Sequence, residues 1–275
     1  MARRRYTIDE KRAAKFEKEG RGQGDGGDYK PWLTVRDVPS HGLSHRLMGI
    51  TTGRQHDFLS NLEHDLFLLL DWQTTTADLR EQYPLDIDAT QDIAERLNIR
   101  HPQAPRTPQP MVMTTDLMLD RRGANGLETL AYAVKTAEDL EKPRTLHKLE
   151  IEWRYWQARN VPWSIVTRAE LPRRLVDNII LVHGFYSQQG LDERALALIP
   201  VLLDEIATRP HQSIGAVRAA MDQQHNLPQG ATWSILRHLL ATQMVVCDME
   251  QVMLNDRLPL AAMSVDRPRQ RRDRA

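Results

Sequence analysis

Three charged side chains in this sequence sit where a charge is costly to keep. Glu63 has Leu59, Leu66, Phe67 and Leu70 at i−4, i+3, i+4 and i+7, so a helix there carries its carboxylate in an apolar stripe. Asp116 interrupts the run Met111 to Leu119, and Lys135 ends the run Leu130 to Val134. An unpaired buried charge costs several kcal/mol, so each of the three calls for a partner or a metal ion. A plainer account of Glu63 exists, because Ser60-x-x-Glu63 is a capping box in which the glutamate reaches back to the backbone of Ser60. Position alone leans to the cap.

Asp116 and Lys135 change that balance. Between their two runs stands Gly123-Ala124-Asn125-Gly126, where glycine can supply the positive φ of a tight hairpin. If Ala124-Asn125 is a two-residue loop, Gly123 pairs with Gly126, and counting outward places Asp116 opposite Ala133. Lys135 then lies diagonal to Asp116 on the same face. An acid on a helix, an acid on a strand and a lysine on the next strand form a working set for phosphodiester hydrolysis. Two carboxylates hold Mg2+, with Mn2+ able to substitute; the cation neutralises the phosphate and acidifies bound water, and the lysine orients that water or stabilises developing charge. The competing account, a simple Asp116–Lys135 ion pair inside a sheet, leaves Glu63 unexplained.

The elements that must position these residues read as follows. A polar helix over Thr7 to Glu19 leads into the glycine-rich stretch 20–27, a loop rather than a phosphate cradle, since no apolar strand precedes it and no lysine or serine follows at P-loop spacing. Ser44 to Ile50 and Arg54 to Leu59 form a hairpin around Thr51-Thr52-Gly53, and a helix follows from Ser60 to Trp72. Thr75 to Leu85 is a strand, Asp86 to Pro110 one short helix and an irregular Pro-rich loop, and Met111 to Asp120 and Leu127 to Thr136 are strands buried on both faces. A helix over Pro143 to Asn160 and a strand over Pro162 to Arg168 complete an α/β unit with a central mixed sheet and flanking helices.

From Leu171 the register becomes helical: Leu171 to His183, Asp192 to Thr208 with a break at Pro200, Ser213 to Gln224, and Ala231 to Gln243. Met244 to Asp248 and Gln251 to Leu258 then read as two short strands. Helices followed by a hairpin is the order of a winged helix, with Ala231 to Gln243 in the recognition-helix place, and it is also the order of some protein-docking modules. The expected division is residues 1–170 and 171–275.

Bulk properties narrow the class. At 275 residues, 41% hydrophobic and 27% charged, the chain suits a globular protein of two domains. No apolar run approaches the roughly 18 residues of a membrane span and no signal peptide is evident, so the expected compartment is the cytoplasm. The single Cys247 excludes thiolate metal clusters, leaving oxygen or imidazole as metal ligands. Formal net charge is zero, but arginines crowd both ends, at Arg3, Arg4 and Arg5 and at Arg267, Arg269, Arg271, Arg272 and Arg274. Phosphate-gripping tails and solvated, disordered ends account for them equally.

The chain resembles the TnsA family, the endonuclease subunits of Tn-seven-type transposons. Stretches that carry the likeness are Glu19 to Gly24, Asp28 to Val35, Leu59 to Glu63, Arg80 to Leu85, Thr115-Asp116, Val134-Lys135 and Lys148 to Trp156. They cover the first 170 residues densely and in order, and the match thins beyond. The resemblance implies a restriction-endonuclease-like catalytic domain followed by a winged-helix-like helical domain for partner or DNA docking. It implies Glu63, Asp116 and Lys135 as the catalytic set of a magnesium-dependent DNA endonuclease that cuts the non-transferred strand at the 5′ ends of the transposon. It also implies double-stranded transposon ends, a DDE-type transposase (TnsB-like) and an AAA+ ATPase regulator (TnsC-like) as partners. One position departs from the pattern: where the family has Gln, two residues before the lysine, this chain has Ala133. Metal ligation then rests on Glu63, Asp116, the backbone carbonyl of Val134, water and phosphate oxygens.

Other residues are weighed and set aside. His56 and His64 flank the candidate site and read as local hydrogen-bonding residues; the motif match of Glu150 and Glu152 points toward a metal role, but helix acids at this spacing usually form i,i+4 pairs, as Glu150 can with Arg154, and both stay outside the core set. Trp153 and Trp156 pack the helix on the sheet, and Arg80, Glu81 and Gln82 carry no role that spacing supplies. A DNA-binding or adaptor subunit with a weakened site is the alternative from another class, favoured by Ala133. A stand-alone restriction or repair nuclease shares the chemistry but acts without partners.

Overall fold

The computed structural model describes residues 10–37, 44–104 and 109–266; the two arginine-rich ends lie outside these ranges. Two compact units divide at Leu171 and Pro172. Among the described residues no helix is long and apolar enough to cross a membrane.

The first unit opens with α1 (Glu10–Lys18) and the glycine-rich loop, followed by the antiparallel pair β1 (His45–Met48) and β2 (Gln55–Phe58) and helix α2 (Asn61–Trp72). Its central sheet runs β3 (Thr76–Pro84), β4 (Thr114–Gly123), β5 (Gly126–Val134), β6 (Trp163–Val166), with α3 (Ile87–Arg96), α4 (Ala137–Leu140) and α5 (Pro143–Gln157) between strands. The first three strands are antiparallel and β6 joins β5 in parallel. That parallel pairing requires a crossover, which α4 and α5 supply. The mixed sheet with flanking helices fits the restriction-endonuclease-like class expected from the sequence.

Alternation along the strands explains both apolar layers. Leu117 and Leu119 face Leu66, Phe67 and Leu70 of α2. Met118 and Ala131 face Ile151, Tyr155 and Trp156 of α5, joined by Leu85 and Ala94. By the same parity Asp116 and Lys135 belong to the α5 side, at one end of the strands. The β4–β5 turn is the two-residue loop the sequence suggests: Gly123 pairs with Gly126, Leu117 pairs with Tyr132, and Gly126 supplies the positive φ, +120°.

The β1–β2 hairpin is bound to β3 by a buried polar knot. Arg54 donates from Nη1 and Nη2 to the two carboxylate oxygens of Glu81 at 2.8 and 2.6 Å, and His56 Nδ1 lies 2.7 Å from Glu81 Oε2. Glu81 is fully buried. His56 therefore has a hydrogen-bonding place in the knot between hairpin and sheet.

The second unit comprises α6 (Arg173–His183), α7 (Glu193–Ala197), α8 (Ile199–Thr208), α9 (Ile214–Gln224), α10 (Ala231–Ala241) and the antiparallel pair β7 (Val245–Cys247) and β8 (Met263–Val265). The helix break falls at Leu198, with Pro200 in the first turn of α8, where a missing N–H is harmless. One expectation is corrected: Gln251 to Leu258 is not a strand, and β8 comes later. Fully buried Asn178 donates through Nδ2 to the carbonyls of Met249 and Val252 and accepts from the Leu254 N–H through Oδ1. The backbone groups that a strand would pair are held there by a side chain, which fixes a loop.

Truncating Glu81 should show how much the polar knot stabilises. Burial alone would push its carboxyl up, but the bonds from Arg54 and His56 outweigh that and hold it at about 2. The contribution is therefore present above the ordinary value of 4.5 and lost as pH falls from there towards about 2. Glu81→Ala is expected to cost on the order of 3–5 kcal/mol at neutral pH by leaving Arg54 buried and unpaired, measured by urea unfolding. A loss below about 1 kcal/mol would show that the knot is dispensable.

Candidate active site

Helix α2 begins at Ser60, whose Oγ accepts the Glu63 N–H at 3.2 Å. The Glu63 carboxylate in turn accepts the Ser60 hydroxyl at 2.8 Å and the Leu59 N–H at 3.1 Å. The cap and the buried acid are thus both real, except that the carboxylate takes the N–H of Leu59 rather than that of Ser60. Glu63 is 8% exposed. Burial, then the neighbouring charge of Asp116, pushes its carboxyl up to about 7.

The hairpin register delivers the second part. Asp116 Oδ2 accepts from Lys135 Nζ at 2.6 Å and from the Val134 N–H at 2.7 Å, and Lys135 Nζ also donates to the Val134 carbonyl at 2.8 Å. Burial lowers the proton affinity of Lys135, but the nearby carboxylates of Asp116, Glu152 and Glu63 raise it further, so the net shift is upward and the lysine stays charged. Glu63, Val134 and Lys135 line one cavity of about 750 Å³, together with Thr136, Lys148 and Glu152. Asp116 lies behind that lining, bonded to Lys135 and the Val134 backbone.

Two residues that the sequence reading left without a role belong here. Glu152, kept out of the core set as a helix acid of the i,i+4 kind, is 5% exposed and faces the cavity from α5. Its Oε1 accepts from Thr115 Oγ1 at 2.8 Å and Trp163 Nε1 at 3.0 Å, while Trp156 Nε1 donates to that threonine hydroxyl at 2.7 Å. Burial, then the charge of Asp116, pushes Glu152 up to about 7. The signal that marks Glu63 was available for Glu152 as well, since Leu149, Tyr155 and Trp156 at i−3, i+3 and i+4 are all apolar. Glu150 does pair with Arg154, at 2.9 Å, and Trp156 packs in the core beneath α5.

Gln82 is the other. It is 2% exposed and holds φ at +47°, a left-handed conformation uncommon for a non-glycine residue and costing of order 1–3 kcal/mol. Trp32 donates its N–H to the Gln82 carbonyl at 3.2 Å, and the Tyr29 hydroxyl donates to the Glu81 carbonyl beside it. The side chain turns between Thr114, whose hydroxyl donates to Oε1 at 3.0 Å, and Glu63, which Nε2 reaches at 3.4 Å. No periodicity announces a residue of this kind.

The donor set suits a hard divalent cation. Glu63 and Asp116 offer carboxylate oxygens and Val134 a carbonyl, and Glu63 is a buried acid beside a second acid. The bonds from Val134 and Lys135 both fall on Oδ2 of Asp116, which leaves Oδ1 for ligation. Ala133 is fully buried and has nothing to contribute. Among the described residues no three His, Cys, Asp or Glu side chains converge closely enough to hold a metal by themselves. A cation held here would take two carboxylates and a carbonyl from the protein and the rest of its shell from water and substrate oxygens.

A TnsA-like endonuclease N-terminal family matches residues 73–168, and a TnsA endonuclease C-terminal family matches residues 170–249. The transposon Tn7 transposition protein TnsA of Escherichia coli is 39% identical over 241 residues, spanning 88% of this chain and 87% of that protein.

Crowded carboxylates make a stability prediction. Glu152 titrates near 4.5 ordinarily and at about 7 when folded, so the folded state binds the extra proton and stability falls as pH rises between those values. Glu152→Gln is expected to raise Tm by several degrees at pH 8 without divalent cations, and the gain should shrink towards zero at pH 5. A differential scanning calorimetry series showing no pH dependence of that gain would mean the carboxyl is not buried with a raised pKa.

Proposed function

This chain belongs to the TnsA family of transposition endonucleases, and on that premise we propose that it is the subunit of a heteromeric transposase that hydrolyses the non-transferred strand at the transposon 5′ ends. The observation that carries the reading is Lys135 bonded to Asp116 at 2.6 Å beside the buried Glu63, at the wall of an open cavity.

Glu63, Asp116 and the Val134 carbonyl would hold Mg2+, which when bound neutralises the scissile phosphate and acidifies a water ligand. Lys135 has three N–H donors and uses two, on Asp116 and the Val134 carbonyl, so the third is available to a water or a phosphate oxygen. Because Lys135 remains charged, it orients and stabilises rather than accepting a proton. Near neutral pH the carboxyl of Glu63, raised to about 7, is partly protonated. Ser60, Leu59 and Gln82 keep it in place.

The family premise supports partners of three kinds: duplex transposon ends, a DDE-type transposase and an AAA+ ATPase, acting in the bacterial cytoplasm. The helices of the second unit and the β7–β8 pair support a winged-helix-like docking domain. Helix α10 in the recognition position buries eight of its eleven residues, which leaves little of it to enter a groove.

A second reading, a catalytically weak adaptor linking the transposase to its ATPase, draws on buried Ala133, which cannot ligate. Strand-resolved cleavage of transposon-end DNA in Mg2+, with the partner transposase present, separates the two. The expected outcome is 5′-end nicks that fall at least 100-fold in Asp116→Ala and in Lys135→Ala, the scale on which electrostatic and positioning groups act. Absence of nicks with the unaltered chain, while the transposase joins strands normally, would establish the adaptor.

A further inference from the structure

Helix α5 carries Arg144, Lys148 and Glu152 at i, i+4 and i+8, a spacing that stacks them along one face. Glu152 and Lys148 both line the cavity, along with Lys135. Neighbouring cations are already matched: Lys142 to Asp139 at 2.7 Å and Arg154 to Glu150 at 2.9 Å. Arg144 donates through Nη1 to the Arg100 carbonyl and forms no ion pair among the described residues. Lys148 has neither an ion pair nor a hydrogen bond among those residues, although Asp139 lines the same cavity.

We propose that Lys148 binds a backbone phosphate next to the scissile one, with Arg144 extending the grip one helical turn further along the same strand. The inference rests on the nuclease reading and adds to it a residue that holds substrate without taking part in the chemistry. Three carboxylates at this site repel a polyanion, and a strand entering the cavity needs cations at its rim that no protein carboxylate has neutralised. Lys148 meets that need from a rigid helix, one turn from Glu152. Its ammonium is held below its ordinary range by burial and by the charges of Arg144 and Lys135, the expected state of a cation whose anionic partner arrives with the ligand. A flexible single-point donor suits a phosphate whose exact position varies with sequence.

The test is binding of the full-length chain to a fluorescein-labelled transposon-end duplex in EDTA, followed by anisotropy across a salt series. Lys148→Met, which keeps the aliphatic stem, is expected to weaken binding about three- to tenfold near 0.1 M salt and to lower the slope of log K against log salt by about 1, the mark of one lost phosphate contact. Lys148→Arg should restore both. A Lys148→Met chain with the unaltered slope, including one whose affinity falls without a slope change, overturns the proposal. Asp116→Ala run alongside in Mg2+ keeps the premises apart: cleavage by that variant at the unaltered rate sinks the nuclease reading, while the salt slopes still decide on Lys148.

Discussion

One ammonium group surrounded by more negative charge than it can neutralise is the constraint on which the first unit turns. Lys135 feels Asp116, Glu152 and Glu63, and the two glutamates are driven up to about 7 by burial and by the charge of Asp116. A protein built only for stability would remove such a cluster, because replacing buried charges with apolar groups is often neutral or better. Here the surrounding structure maintains it. The sheet fixes Asp116 against Lys135, the N-terminal turn of α2 fixes Glu63, and Thr115 and Trp163 fix Glu152. Each acid is oriented by groups on regular elements or their caps, which is the arrangement that holds a reactive geometry to small tolerances.

Much of this was legible in the sequence, for reasons specific to each residue. Strand periodicity is two, so once the Gly123–Gly126 turn was counted correctly the Asp116–Lys135 pair followed without further information. Glu63 showed itself as an acid among leucines on a helix. Glu152 satisfied the same test and was passed over because its neighbour Glu150 offered an easy surface pairing with Arg154; two acids two residues apart lie on different sides of a helix and need separate judgement. Gln82 is marked only by the family-like stretch Arg80 to Leu85, because a single left-handed residue within a strand changes no composition and no hydrophobic period. The loop misread as a strand at Gln251 to Leu258 failed for a related reason. Its residues read as a short strand, but the Val252 carbonyl and the Leu254 N–H are claimed by Asn178, 74 and 76 residues away in sequence.

The two units solve opposite electrostatic problems. In the first, like charges are concentrated at one cavity. In the second, arginines are dispersed into local pairs, Arg173 with Asp177, Arg209 with Glu205 and Arg218 with Asp256, and the helix that would read a groove is largely enclosed. Arg237 on that helix lies over the Phe185 ring, 3.7 Å from its centroid, so the one arginine of α10 is engaged with an aromatic face within the unit.

The two-residue turn at Ala124-Asn125 also bears on the order in which the chain assembles. Asp116 and Lys135 are 19 residues apart and are joined by a hairpin, a structure that closes in microseconds. Glu63 lies 53 residues upstream of Asp116 and Glu152 lies 36 residues downstream, and such distant contacts are entropically slower to form. The opposite charges therefore meet first and offset each other, and the like charges are added to a pair that already exists. The electrostatic penalty of the site falls late on the folding path, after the sheet that must sustain it has begun to close.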